Sequence, residues 1–436
     1  MPFAALDHAA VARALSQVAD RSQDLVDAFF ERTEEISLPA EGGPPGIAVR
    51  REEGLAIRLV RDGRTWLASR DGISPALFSD ALRQVARAMP MAAYPEPRLE
   101  AEPWTEAPEA SEMASFPSDV VRHLRQERVA FPLRIQVSRH RRWIQVLGPR
   151  LVPEEQRECF YSCQAETPWY RLGVLLPKLD AKAVEAVATP LLESFRCRHA
   201  PPPEVTTGVV LLGAEATAVL LHEAVAHALE ADTLAIGGKP DAAVGVRLAR
   251  EGLHVLDDPS SGPEDVRRNS DDEGLAVCRR WLLRDGVVES PLADAAAAQA
   301  AQALLPGAAR RSHRHMPPVP RSTHLEVIAG EHGDEELAAD SDGLWLPRAE
   351  RGSLDPVTGL FRLTLPHARR LRSGQIAEPV GPCVLEGRVG DLLGTIQGVG
   401  NRPQGAGAGW CAKGGQKLPV WATAPTLRLE GARVEP

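Results

Sequence analysis

The sequence predicts an α+β protein. An N-terminal α/β domain is expected over residues 1–200. A mainly antiparallel β domain, built around a histidine-bearing helix, is expected over 203–436. Three observations predict this. Helical periodicity and hairpin signals alternate through the first part of the chain. A proline cluster, Pro201-Pro202-Pro203, interrupts it near the middle. Beyond that cluster, short strand-like runs separated by glycine turns dominate, as in an antiparallel α+β domain.

The elements follow in order. Leu6 to about Glu34 has helical periodicity, with Leu15, Val18, Leu25, Val26 and Phe29 on one side. LAIRLV and TWLAS read as two strands joined at the hairpin signal Asp62-Gly63. Ser74-Pro75 offers an N-cap and a first-turn proline for a helix through about Ala88. Pro90 to Pro117 is rich in Pro, Glu and Ala and shows no period, so a long connection (90–118) is expected. A short helix from Asp119 to Glu127, strands at RIQVSRH and RRWIQVLG, and a helix from Asp180 to Ser194 complete the first domain. The second opens with the β-rich VTTGVVLL, Gly213 and then a helix. TGLFRLTL, RRLRSGQIAEPV, CVLEGRV and PTLRLEGARV read as later strands, and the Ala-rich stretch 293–305 as a helix.

Charge and composition exclude some functions. A net charge of −9 argues against nucleic-acid binding, which leaves a basic footprint. MPFAALDHAAVARAL carries Asp7 and His8 where a secretory signal has its apolar core. The longest apolar run, Gly208 to Leu229, is broken by Glu215, His222, Glu223 and His227, so no membrane span is expected. A soluble cytoplasmic protein is the expectation. Six cysteines scattered at 159, 163, 197, 278, 383 and 411 make no disulfide framework. Cys159, Cys163, Cys197 and His199 imitate a zinc knuckle, but their spacing matches no standard finger.

The chemistry concentrates in LLHEAVAHALEAD, Leu220 to Asp232. Zinc-peptidase helices of the H-E-x-x-H kind space their histidines four apart, and here His222 and His227 are five apart. On an α-helix turning about 100° per residue, with His222 at zero, Glu230 falls near about 80°, Glu223 near about 100° and His227 near about 140°. These polar side chains share one arc with Val219 and Ala226, opposite Leu221, Ala224, Val225 and Ala228. A half-exposed helix face gives the same pattern. So does a metal site, if a π-bulge brings the histidines over one another or if both reach inward from the sides of the arc. Either way a third ligand must come from elsewhere. Cys411 lies among Gly405, Gly407, Gly409, Gly414 and Gly415, where backbone can approach an ion closely. Packing beside Trp410 explains that cysteine equally well, and the residues alone do not choose it over Cys278 or Cys383.

At this point the chain resembles the TldD/PmbA family, specifically its TldD-type zinc metalloprotease half with the H-E-x-x-x-H signature. LLHEAVAHALEAD carries the resemblance together with SDDEG (270–274), ARRSHRHMPPVPRST (309–323), GAGWCAKGGQKLPVWATAPTLRLEGARV (407–434) and GLAIRLVRDGRTWLAS (54–69). The likeness is weakest from about 91 to 200. It implies a zinc-dependent peptidase (a hydrolase) with Zn2+ on His222, His227 and Cys411 and with Glu223 as general base. Glu230 or Asp232 could accept from a ligand imidazole, or simply close the helix surface. Arg321 and His315 are expected to contact substrate, with a structural salt bridge as the other reading of Arg321. The substrates implied are unfolded or extended peptides, bound with weak sequence preference by strand addition. A homodimer or a heterodimer with a PmbA-type subunit is implied. The alternative is a non-catalytic, peptide-binding partner of the same fold. A role on DNA, also attached to the family, is disfavoured by the acidic charge. The sequence departs from the family at Ala226 and Ala231, usually Gly, at Ala412 in the C-G-K position, and at His324, usually Asn.

Overall fold

The computed structural model describes residues 2–19, 21, 23–38, 46–87, 97–99, 102–104, 110–204, 207–238 and 243–436, without the side chains of 406–408. Its first sheet draws all its strands from residues 25–176. These are β1 (Leu25–Leu38), β2 (Ala48–Arg61), β3 (Arg64–Asp71), β4 (Arg134–Leu147), β5 (Glu155–Glu166) and β6 (Arg171–Leu176). Their order is β3-β2-β1-β4-β5-β6, with every pair antiparallel. Asp62 and Gly63 both take positive φ, 51° and 70°, so the expected hairpin turn joins β2 to β3.

The long first helix does not form. Helix α1 (His8–Ser16) ends early, and Leu25 to Phe29 belong to β1. The reason is position. β1 is central, and Val26, Asp27, Ala28, Phe29, Phe30, Glu31 and Arg32 are all buried. A strand covered on both faces loses its two-residue alternation, and its apolar positions then mimic a helical period. RIQVSRH and RRWIQVLG likewise form one continuous strand, β4.

Helix α2 (Pro75–Val85) starts as expected, with Ser74 Oγ accepting from Leu77 N–H; Ala88 lies outside the described residues. About half of the 90–118 connection also lies outside them. Its last part is helical, as α3 (Ser111–Ala114) and the start of α4 (Phe116–Gln126), and it buries Met113 and Phe116. Helix α5 (Ala181–Cys197) is capped by Asp180. The Ala-rich stretch 293–305 is helical only over Ala295–Ala300. No helix among the described residues is long and apolar enough to cross a membrane.

From residue 209 onward the chain forms mixed but mostly antiparallel sheets. Strand β7 (Val209–Leu212) is central in one six-stranded sheet. A second six-stranded sheet ends in the strand Gln404–Lys413, and a four-stranded sheet has Arg351–Leu354 at its edge. Between them runs α6 (Ala214–Leu221), whose Ala216, Ala218, Leu220 and Leu221 are almost wholly buried in the main core.

The two parts of the chain meet through buried ions beside a small apolar cluster of Phe160, Leu175, Val266 and Trp421. Arg58 of β2 bonds both Asp27 and Glu273, and Arg142 of β4 bonds Glu31 at 2.8 Å. Arg268 reaches Glu158 of β5 at 2.8 Å and also Asp272, while Arg311 N–H donates to Asp272 Oδ2 at 2.7 Å. Thus the 270–274 turn and the 309–323 segment are docking elements for the first sheet. Removing one partner of a buried ion pair strands the other and costs roughly 3–5 kcal/mol. Asp272→Asn is therefore expected to lower stability by about that amount in urea titrations. Its pH signature is also defined. Burial raises the Asp272 carboxyl, but Arg268 and Arg142 outweigh this and hold it at about 2. An acid depressed in the folded state contributes stability that is present above its unfolded pKa, about 4, and lost as pH falls through the folded one. Wild type should lose stability between about pH 4 and 2 more steeply than Asp272→Asn; parallel curves would contradict the role given to this carboxylate.

Candidate metal centre

Strand β7 delivers the chain to Gly213, where an added Cβ would lie 2.9 Å from the Pro347 carbonyl oxygen. Gly213 then caps α6. After Leu221 the helix widens into a six-residue π turn, His222–His227. An i→i+5 ladder stacks residues five apart, which the α spacing does not. The His222 and His227 rings accordingly lie with centroids 4.6 Å apart, tilted by 72°. Ala224, Val225 and Ala226 anchor the turn in the core. Ala226 is wholly buried, so it belongs to that anchoring side and not to the polar arc where the α projection put it. Val219 does face the cleft.

The third donor comes from the sheet edge. Cys411 sits on the strand Gln404–Lys413, whose register with Gln416–Ala424 shifts between Ala406 and Gly409. Strand alternation turns Cys411 inward while Trp410 stays part-exposed. The Cys411 Sγ lies 3.2 Å from His222 Nε2 and 2.9 Å from His227 Nε2. The three donor atoms all lie within 4.8 Å of one another, the one such cluster among the described residues. Cys159, Cys163 and Cys197 are free thiols and build no second site.

Glu230 does not extend the same helix. The chain turns after His227, and Glu230 is the N-cap of α7 (Ala231–Gly237). From there its buried carboxylate accepts from His227 Nδ1 at 2.9 Å and from Lys413 Nζ at 2.6 Å. Lys413 also bonds Asp232 at 2.6 Å. Glu230 is therefore the imidazole acceptor, and Asp232 acts only through the lysine. With Nδ1 held, Nε2 of His227 is left to face Cys411.

The electrostatics follow from burial and neighbours. Burial raises the Cys411 thiol, but His222 and His227 overcome it and bring it down to about 4. Burial raises Glu223 above the ordinary carboxylate range, with the two histidines opposing. Burial acts to lower His227, yet Glu230 and Cys411 push it well above the usual imidazole value. Two imidazoles and a thiolate are a donor set that zinc accepts, and three protein ligands leave a fourth position for water or substrate. The residues present therefore fit a zinc ion.

Glu223 stands beside the donors, under the strand Arg351–Leu354. An added Cβ at Gly352 would come within 2.4 Å of Glu223 Cγ and 2.9 Å of its Oε1. Nothing in the sequence pointed to Gly352 except a glycine inside a short strand. Lys413 was visible only as part of Cys411-Ala412-Lys413.

The two expected substrate contacts lie elsewhere. Arg321 is 1% exposed, and its Nη2 donates to the Cys411 carbonyl at 2.9 Å, behind the centre. His315 bonds Ser69 Oγ at 2.8 Å and pairs with Asp71 near β3. Neither lines the cleft. That cleft, of about 1280 Å³, runs past His222, Glu223, His227 and Cys411, between β6 on one side and the strands around Arg351 and Arg362 on the other.

A thiolate held at about 4 is testable on metal-free protein. Alkylation of Cys411 by iodoacetamide, followed by peptide mass mapping, should proceed at a steady rate from pH 8 to about pH 5. It should slow only near pH 4, because the thiolate is the nucleophile. A rate that falls tenfold per pH unit below 8 would contradict the arrangement.

Known proteins share parts of this sequence and its fold. A family model described as the PmbA/TldA metallopeptidase C-terminal domain matches residues 206–436. A metalloprotease of Methanothermobacter thermautotrophicus is 30% identical over 244 residues, 56% of this chain and 53% of that protein. A metalloprotease TldD homolog of Haemophilus influenzae is 31% identical over 232 residues, 51% and 46% of the two chains. The chain thus spans about half the length of the curated relatives it matches. The crystal structure of TldE from Thermococcus kodakarensis superposes with a TM-score of 0.72 at 18% identity, covering 98% of this chain and 99% of that one, and so shares the fold.

Proposed function

The chain belongs to the TldD/PmbA family, and from that premise we propose that it is a zinc-dependent peptidase acting on unfolded or extended peptides. One observation carries the reading: His222, His227 and Cys411 converge in an open cleft with the Glu223 carboxyl beside them. Zinc bound there supplies Lewis acidity, acidifying a water and polarising a peptide carbonyl. The remaining steps belong to the chain. Glu223 takes the proton of the attacking water on a carboxylate oxygen and returns it to the leaving amine. Its burial favours the protonated form and so eases the first transfer. Glu230 holds the Nδ1 proton of His227, and Lys413 in turn holds Glu230. The edge strand Arg351–Leu354 offers unpaired backbone to an extended chain, which would make affinity largely independent of side chains. The reading places the reaction in the cytoplasm and the chain in a homodimer or a heterodimer with a PmbA-type subunit.

The non-catalytic alternative is weakened because Glu223 and all three donors coexist in one cleft. Elemental analysis and a peptide assay separate the two. Wild type should carry about one zinc per chain, and Cys411→Ala should lose it. Glu223→Gln should keep the metal and lose roughly 10²–10⁴-fold in hydrolysis of an unstructured peptide. Full activity in Glu223→Gln would eliminate that residue as the base.

Gly352 gives an independent prediction. Gly352→Ala should displace Glu223 while leaving the donors in place. Zinc content should stay unchanged while kcat falls at least about tenfold, since small misplacements of a reacting group cost up to about 10² in rate. Loss of metal instead would show that Gly352 supports the donors.

A further inference from the structure

We propose that the cleft selects acidic peptides, through arginines on two facing walls; this rests on the peptidase reading. The protein carries a net charge of −9, yet among the described residues the charged side chains lining its cleft are mostly cationic, seven Arg and Lys against four Glu. One wall is the hairpin around Arg351 and Arg362. Its register pairs Arg351 with Thr364 and Ser353 with Arg362, so both arginines lie on one face. The other wall is the edge of the first sheet. There Arg134, Glu166 and Arg171 follow one another across β4, β5 and β6. Lys417 also lines the cleft, farther along β4 and near His140, its Nζ 4.9 Å from the Trp410 ring.

Some of these charges are neutralised: Arg348 pairs with Glu215, and Lys413 with Glu230 and Asp232. Arg171 pairs with Glu166 at 2.8 Å. Arg362 approaches Glu386 only at 4.0 Å and is 60% exposed. Arg134, Arg351 and Lys417 make no ion pair with any described residue. Against them, outside the metal centre, the cleft presents Glu350 as its unpaired acid. Glu230 is already held by His227 and Lys413.

The consequence is selection by charge. A cleft with low-dielectric walls concentrates its field, and that field opposes the charge of the molecule as a whole. An extended peptide presents alternate side chains to alternate walls. Carboxylates at those positions meet guanidinium groups with room for paired N–H···O bonds. A basic peptide meets like charge in the same positions and is disfavoured. Single-stranded nucleic acid is the poorer fit, because the cations form two separate walls interrupted by Glu166 and Glu350 and not one continuous track.

The test is binding to the full-length, zinc-supplemented Glu223→Gln protein by fluorescence anisotropy. The probes are fluorescein-labelled ten-residue peptides that share their apolar positions and carry Glu, Ser or Lys at the alternate ones. A labelled thymidine oligonucleotide is the fourth probe. The Glu peptide is expected to bind at least tenfold tighter than the Lys peptide. The difference should shrink between 50 and 300 mM salt, as screening predicts. It should vanish or reverse in a variant that also carries Arg351→Glu and Arg362→Glu, with folding checked by circular dichroism. Equal binding of the three peptides, preference for the Lys peptide, no binding at all, or tighter binding of the oligonucleotide each overturns the proposal. Wild-type cleavage of the same peptides separates the two readings. Cleavage of all three at equal rates overturns charge selection and upholds the peptidase. Preferential binding of the Glu peptide without cleavage upholds charge selection and overturns the peptidase.

Discussion

The buried arginine–carboxylate lattice is the constraint on which the rest of the molecule depends. Arg58, Arg142, Arg268 and Arg311 are buried, and each has an acidic partner across the contact between the first sheet and the later chain: Glu273, Asp272, Glu158 and Asp27 in turn. Such a lattice contributes little net stability compared with apolar packing, but it tolerates no slippage, because every displaced ion is left uncompensated. That rigidity matters at the cleft, one wall of which is β6 of the first sheet. The other walls belong to sheets formed later in the chain. The width of the cleft is therefore set by these ion pairs together with the apolar cluster of Phe160, Leu175, Val266 and Trp421 at its wall.

The centre uses a similar economy of parts. A π turn costs a helix its regular ladder, and here it brings two histidines five residues apart into contact. The apolar residues of that same turn lock it into the core, so the distortion is held from behind. Glu230 and Arg321 then brace the far side, one against His227 and the other against the Cys411 carbonyl. Arg321 thus supports the cysteine strand from below.

Local patterns were legible where a single physical rule governed them. Asp62-Gly63, Ser74-Pro75 and Asp180 act as turn and caps because their preferences are local. Leu25 to Phe29 misled because a strand buried on both faces carries no alternation to read. His222 and His227 were visible from their type, and their five-residue spacing admitted either a π turn or an α arc, of which the structure has the π turn. Cys411 needed the likeness of a whole segment, not its own surroundings. Gly352 was invisible: its role is the absence of a side chain beside a carboxylate from a strand far away in sequence. Arg321 takes the structural one of its two expected roles, on the Cys411 carbonyl, and His315 stands outside the cleft beside Asp71.

Cys411 meets histidines that precede it by 184 and 189 residues. A chain emerging from the ribosome therefore carries its two imidazoles long before it carries their sulfur partner. Until the cysteine strand has joined its sheet there is no three-donor pocket, and the helix is only a weak, two-point chelator. Metal capture is in this way tied to completion of the fold. A site assembled on that schedule is incomplete in every partly folded copy of the chain.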